Sequence, residues 1–156
     1  MNHFDEALKL MNLSFGKDIQ YAFATIDEDK PVVRIIDGYF LDGYIYITTS
    51  RLANKVKHIE NNSNVSLTYK LNRITGTCIN IGHPLLHNNL EIKEKLKKVF
   101  YLFYDRHVDE NDLNTCILKI KVSSAILFLE NKKYQFNFDE QTVNISDFID
   151  DMIYLQ

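Results

Sequence analysis

Cysteine, proline, glycine and excess positive charge are all scarce in this sequence, and each scarcity removes a class of protein. The 156 residues include two cysteines, Cys78 and Cys116. No CxxC spacing or Cys/His cluster surrounds them, so neither a structural zinc site nor a thiol-redox motif is readable. Two prolines and five glycines leave no low-complexity tract, and there is no internal repeat or interdomain linker. The formal net charge is −3 and the lysines are scattered, so the electrostatic footprint of a nucleic-acid-binding protein is missing. No apolar run approaches the ~18 residues that a membrane helix needs. The N-terminal residues Met1 to Glu6 lack the apolar region of a signal peptide. The expectation is a soluble cytoplasmic protein with reduced thiols, no nucleic-acid partner and no membrane partner.

Catalytic motifs are missing as well. There is no Ser/His/Asp order, no nucleophile elbow and no GxGxxG. His83 and His87 stand four apart with Pro84 between them and lack a third ligand, so no metal is expected. His58 is expected at the surface or the rim of the site, and His107 in an exposed, charged turn. Any chemistry must then come from a bound cofactor, with the protein supplying binding and electrostatics. No catalytic side chain is assigned.

What is present is a β-rich pattern with ten Phe and nine Tyr. Phe4, Leu8 and Met11 recur at helical spacing, with Gly16 as a stop. Gln20 to Ile26 reads as a strand, with Tyr21, Phe23 and Thr25 on one face and Ala22, Ala24 and Ile26 on the other. Small and aromatic residues interleaved in this way suit a small barrel. Val32 to Ile36 resumes the sheet, with Arg34 as a lone charge inside it. Asp37-Gly38 is read as a break, and Leu41-Asp42-Gly43 as a hairpin turn. Val65 to Leu71 is a strand, Thr75-Gly76 a turn, and Thr77 to Ile81 the next strand.

Asn88 or Asn89 is placed to cap a helix whose stripe is Ile92, Leu96, Val99, Phe100 and Phe103. Thr115 to Leu129 and Tyr134 to Phe138 form a hairpin about Glu130 to Lys133. Ser146 is read as the cap of a last helix carrying Phe148, Ile149, Met152 and Ile153. Mostly hairpin-connected strands with inserted helices argue for a mainly β, α+β architecture of barrel type.

The rest is organised around Tyr44 to Lys55. Tyr44 to Ile47 is β-branched and aromatic, which suits a strand. From Leu52 the spacing of Leu52, Val56 and Ile59 is helical. Thr48, Thr49 and Ser50 lie between them, where a helix N-cap belongs. A helix start favours an anion, and Arg51 and Lys55 would be like charges one turn apart, mildly repulsive unless something negative lies near. The plain alternative is a Ser-capped helix with solvated cations. The sharper reading is a phosphate site.

These residues resemble the FMN-binding split barrels of the pyridoxamine 5'-phosphate oxidase type. The likeness covers roughly residues 18 to 130 and is strongest from Tyr44 to Tyr69: a strand ending in Thr48-Thr49-Ser50, then Lys55, then a turn into Val65-Ser66-Leu67. Val33-Arg34-Ile35 is similar to the family's arginine on its second strand. The resemblance implies a six- to seven-stranded antiparallel split β-barrel with flanking helices, a single FMN-binding domain over residues 1–156. It implies a flavin phosphate held by Arg34, Thr49, Ser50 and Lys55, with the main chain of Ile47 and Thr48 along the isoalloxazine edge. It further implies a homodimer with the flavin at its interface. The activity implied is that of an oxidoreductase acting on a small organic substrate, with NADH or NADPH as a candidate electron donor; the alternative is an FMN- or haem-binding protein without turnover. The family's vitamin B6 oxidases carry Ser-Arg before the lysine, where this chain has Ala53-Asn54, and an Arg-rich substrate-binding end that Asp151 to Gln156 does not match. The expectation is therefore a relative of that oxidase, not the oxidase itself.

Overall fold

The computed structural model describes residues 3–148. Helix α1 (His3–Phe15) leads into a meander of β1 (Ile19–Asp27), β2 (Lys30–Leu41) and β3 (Tyr44–Ser50), followed by α2 (Asn54–Asn61). Strands β4 (Asn64–Tyr69) and β5 (Asn72–Gly82) come next, then a 3-10 turn at His87–Asn89 and helices α3 (Leu90–Val99) and α4 (Tyr104–His107). The chain then runs through β6 (Thr115–Leu129), β7 (Lys132–Asn137) and β8 (Thr142–Asp147). The sheet order is β3-β2-β1-β4-β5-β6-β7-β8, and β3 also pairs with β6. That second pairing closes six antiparallel strands into a barrel, with β7 and β8 as an extension. The expected split-barrel architecture is present.

Alternation builds the interior. In β1, Tyr21, Phe23 and Thr25 point inward and are essentially unexposed, while Ala22, Ala24 and Ile26 are half-exposed on the other face. Ile45, Ile47, Leu67, Ile74, Leu118 and Ile120 complete the barrel core, and each such buried side chain contributes about 1.5–3 kcal/mol. A second, smaller cluster forms where α3 and α4 cover the sheet, joining Leu96, Phe100 and Tyr104 to Tyr46 and Ile117.

Several local readings are corrected. Asp37-Gly38 does not break β2, which runs on to Leu41. A Cβ at Gly38 would lie 3.0 Å from the Tyr21 ring, so the glycine makes room for an aromatic and does not turn the chain. Thr75-Gly76 is likewise no turn but a register shift inside β5; a Cβ at Gly76 would sit 2.2 Å from the Lys121 carbonyl oxygen. The β4–β5 turn is at Lys70, with φ 55°. Asn89 does not cap α3 with its side chain, because its amide donates to the carbonyls of Ile81 and His83 at 2.9 and 3.0 Å. The apolar stripe of α3 ends at Val99, and Phe103 lies in the turn that leads to α4. Ser146 is in β8, opposite Lys133, so it caps no helix; Ile149, Met152 and Ile153 lie outside the described residues.

One carboxyl pair sets a pH dependence. Asp18, just ahead of β1, stands against Asp37 of β2, and its Oδ1 is buried without a hydrogen-bond partner. Burial first, then the hydrogen bond and charge of Asp37, push Asp18 up from 3.8 to about 6. A raised folded-state pKa means the protonated form belongs to the fold. Its contribution is full below about 3.8 and is lost as the pH rises through about 6. The Tm of the protein should therefore fall between about pH 5 and about pH 7.5 by more than that of Asp18→Asn, whose neutral amide keeps the contact at both values. Parallel Tm profiles for the two proteins would refute this.

Candidate functional site

The site is built from the open end of the barrel. Arg34 shares the inward face of β2 with Ile36, Gly38 and Phe40, and a charge is tolerated there because its head finds acceptors at the rim. Its Nη1 donates to Thr25 Oγ1 at 2.7 Å and to the carbonyls of Phe23 and Val32 at 3.2 and 3.3 Å. The guanidinium carbon lies 5.7 Å from the centroid of the Phe23 ring. Nη1 thus anchors the side chain to β1 and β2, Nη2 lies 3.5 Å from His58 Nδ1, and the five-donor fork has further N–H groups to offer.

The hydroxyl cluster belongs to β3, not to a helix start. Pairing with β6 continues through Ser50 opposite Thr115, so all three hydroxyls are extended. Helix α2 begins only at Asn54, with Ala53 at the N-cap position and no side-chain cap. Ser50 Oγ instead accepts the Leu52 N–H at 3.2 Å. Arg51 is in the intervening turn, donating to Asn114 Oδ1 at 2.7 Å, so it is not stacked one helical turn before Lys55.

Alternation puts Thr49 on the same side as Ile45 and Ile47, and Thr49 Oγ1 accepts a hydrogen bond from Lys55 Nζ at 3.2 Å. The Ile47 side chain is buried in the core, which leaves only its main chain for a ligand. β2 pairs with β3 no further than Tyr46, whereas β6 accompanies β3 to Ser50. Between residues 47 and 50 the edge of β3 facing β2 has no strand beside it. Thr48, Thr49 and Ser50 also line a small cleft of about 160 Å³ with His107, Val108, Asp109, Asp112 and Thr115.

The electrostatics point one way. Arg34 and Lys55 are both half-buried, and none of the ion pairs among the described residues includes either. Burial lowers the pKa of each, and the Arg34 charge lowers that of Lys55 further. Two neighbouring cations in a partly dry site, with the Arg34 charge lowering Lys55, call for an anion. Cys116, opposite Thr49 in the sheet, does not supply it. Burial pushes its thiol up to about 11 against the opposing pull of Lys55, and pushes Cys78 to about 12; both stay protonated and poorly nucleophilic at neutral pH.

Two histidines have defined partners. His83 is occupied within its loop, with Nε2 3.0 Å from the Asp112 carbonyl oxygen and Nδ1 accepting the Leu85 N–H at 3.1 Å, and no metal-holding cluster occurs among the described residues. His58 lies at the rim of the site and is largely covered. Its side chain is 12% exposed and its Nδ1 lies 2.9 Å from Thr25 Oγ1. Nothing in the sequence marks it except its place one helical turn minus a residue after Lys55.

No family model matches the sequence, and no curated protein matches it. Solved structures do. General Stress Protein 26 from Bacillus anthracis superposes with a TM-score of 0.57 at 21% identity, over 77% of this chain and 92% of the other. A pyridoxamine 5'-phosphate oxidase-related, FMN-binding protein from Nostoc punctiforme gives 0.57 at 14% identity, over 96% and 98%. An FAD-binding protein from Mesorhizobium loti gives 0.59 at 14% identity, over 76% and 91%. This chain shares their fold. Within that split barrel, Arg34 from β2, Thr49 from β3 and Lys55 from α2 meet at the opening between β2 and β3. Two cations and a hydroxyl are the donor types that suit an anion, and the unpaired edge of β3 lies beside them.

Proposed function

We propose that this chain is an FMN-binding oxidoreductase acting on a small organic substrate. The observation that carries the reading is the pair of half-buried cations, Arg34 and Lys55, set together with neither in an ion pair among the described residues. A flavin phosphate brings about two negative charges near neutrality, and the residues fit it. The arginine fork and the ammonium supply charge-assisted donors. The Thr49 and Ser50 hydroxyls already accept hydrogen bonds and keep their own protons to donate. The main chain of Ile47 and Thr48, on the edge that β2 leaves open, is where the isoalloxazine rim would lie. A bound FMN would supply the redox chemistry, with NADH or NADPH as the candidate electron donor, while Arg34, Thr49, Ser50 and Lys55 would hold its phosphate.

The same reading places the flavin at a homodimer interface. The outer face of β2 carries Val33 and Ile35, which are 67% and 64% exposed. They stand opposite Ala24 and Ala22 of β1, so the apolar surface extends across two strands.

The direct test is the absorbance spectrum of the purified protein, before and after incubation with FMN. Flavin bands that stay with the protein through gel filtration are expected. A Soret band, or no retained chromophore after FMN loading, would overturn the assignment. Loss of the bands on anaerobic addition of NADH or NADPH separates an enzyme from a carrier.

A further inference from the structure

Thr25 is 1% exposed, so its hydroxyl proton must find an acceptor within the protein. Its Oγ1 receives a hydrogen bond from Arg34 Nη1 at 2.7 Å, and arginine can only donate. The hydroxyl proton is then left to be donated, and His58 Nδ1 stands 2.9 Å away. Arg34 Nη2 lies 3.5 Å from that same nitrogen. An Nδ1 proton would point at the Arg34 N–H and leave the buried Thr25 proton without an acceptor among the described residues. A lone pair there accepts from both.

From this geometry we infer that His58 is the positioning residue of the anion site. It is held as the Nε2–H tautomer and orients Arg34 through the chain Arg34 to Thr25 to His58. The Asp27 carboxylate lies 3.8 Å from Nε2, on the side where this tautomer carries its proton, too far for a direct hydrogen bond and within reach of one bridging water. The chain of donors has one direction: guanidinium to hydroxyl to imidazole. His58 touches no ligand in this arrangement. It sets which guanidinium nitrogen is tied to the barrel and which remains for the phosphate. Helix α2 thereby contributes to the site twice, through Lys55 as a ligand and through His58 as the group that aims the arginine.

The inference rests on the FMN reading for its effect on affinity, but the tautomer is independent of any ligand. A long-range proton–nitrogen correlation spectrum of flavin-free protein labelled with 15N histidine should show the His58 Nδ1 resonance in the unprotonated range and Nε2 in the protonated range. The reverse pattern overturns the proposal. The second measurement uses FMN and riboflavin as probes against variants. Asn at this position puts an acceptor oxygen near the place of Nδ1, whereas Ala puts nothing. His58→Ala and Thr25→Val should each raise the FMN dissociation constant about five- to tenfold, the worth of roughly one hydrogen bond. His58→Asn should restore most of the loss, and riboflavin binding should barely move. If His58→Asn is as weak as His58→Ala, or if riboflavin weakens with FMN, His58 is only a packing residue. If wild type shows no preference for FMN over riboflavin, the phosphate assignment fails while the tautomer still stands or falls on the spectrum.

Discussion

Lys55→Ala raises the FMN dissociation constant by roughly 10- to 150-fold and leaves riboflavin binding nearly unchanged: this is the result expected in a fluorescence-quenching titration. The estimate follows from one lost charge-assisted contact, about 1.5–3 kcal/mol. Riboflavin lacks the phosphate and so never draws on Lys55. Arg34→Ala should show the same split between the two flavins, with one difference that the structure supplies. The Lys55 ammonium has a single hydrogen bond, to Thr49, and is disfavoured by burial and by Arg34. Its removal should leave the flavin-free protein as stable as before, or slightly more stable. The Arg34 guanidinium ties together Phe23, Thr25 and Val32, so its loss leaves a buried hydroxyl and two carbonyls short of a donor and should lower the Tm of the flavin-free protein. Equal FMN affinity in wild type and both variants would place the phosphate elsewhere.

The second large effect concerns assembly. Light scattering at micromolar concentration should give wild type twice the monomer mass of 18.3 kDa, and Val33→Asp/Ile35→Asp should give the monomer. Both side chains already face away from the barrel core, so the substitutions cost little within one subunit. At an interface they would bury two unpaired carboxylates, each costing several kcal/mol. Because the proposed flavin site lies between subunits, the double variant should also lose FMN affinity, and here riboflavin should lose it too. That common loss distinguishes assembly from phosphate recognition. A wild-type mass of 18.3 kDa would remove the dimer from the proposal, and a double variant that stays dimeric would move the interface to another face.

What the sequence determined by itself is whatever rests on near neighbours. Period-two alternation in Gln20 to Ile26 and in Tyr44 to Ile47, and helical spacing in Phe4 to Met11 and in Val56 to Ile59, are properties of adjacent residues; these elements formed, although α2 starts at Asn54 and not at Leu52. The lone Arg34 in an apolar run, and the approach of Thr49 and Lys55, were legible for the same reason. Tertiary structure decided the rest, because its causes lie far along the chain. Gly38 and Gly76 look like breaks until the Tyr21 ring and the Lys121 carbonyl are set against them. Thr48 to Ser50 look like a cap until Thr115 pairs with Ser50 and draws the hydroxyls into the strand. His58 looks like a surface or rim residue until Thr25, 33 positions earlier, presents it with a hydroxyl proton. In each case the deciding group comes from another element, set in place by strand pairing or by the packing of α2 on β1. For Thr48 to Ser50 that element is β6, which only the closure of the barrel brings beside β3.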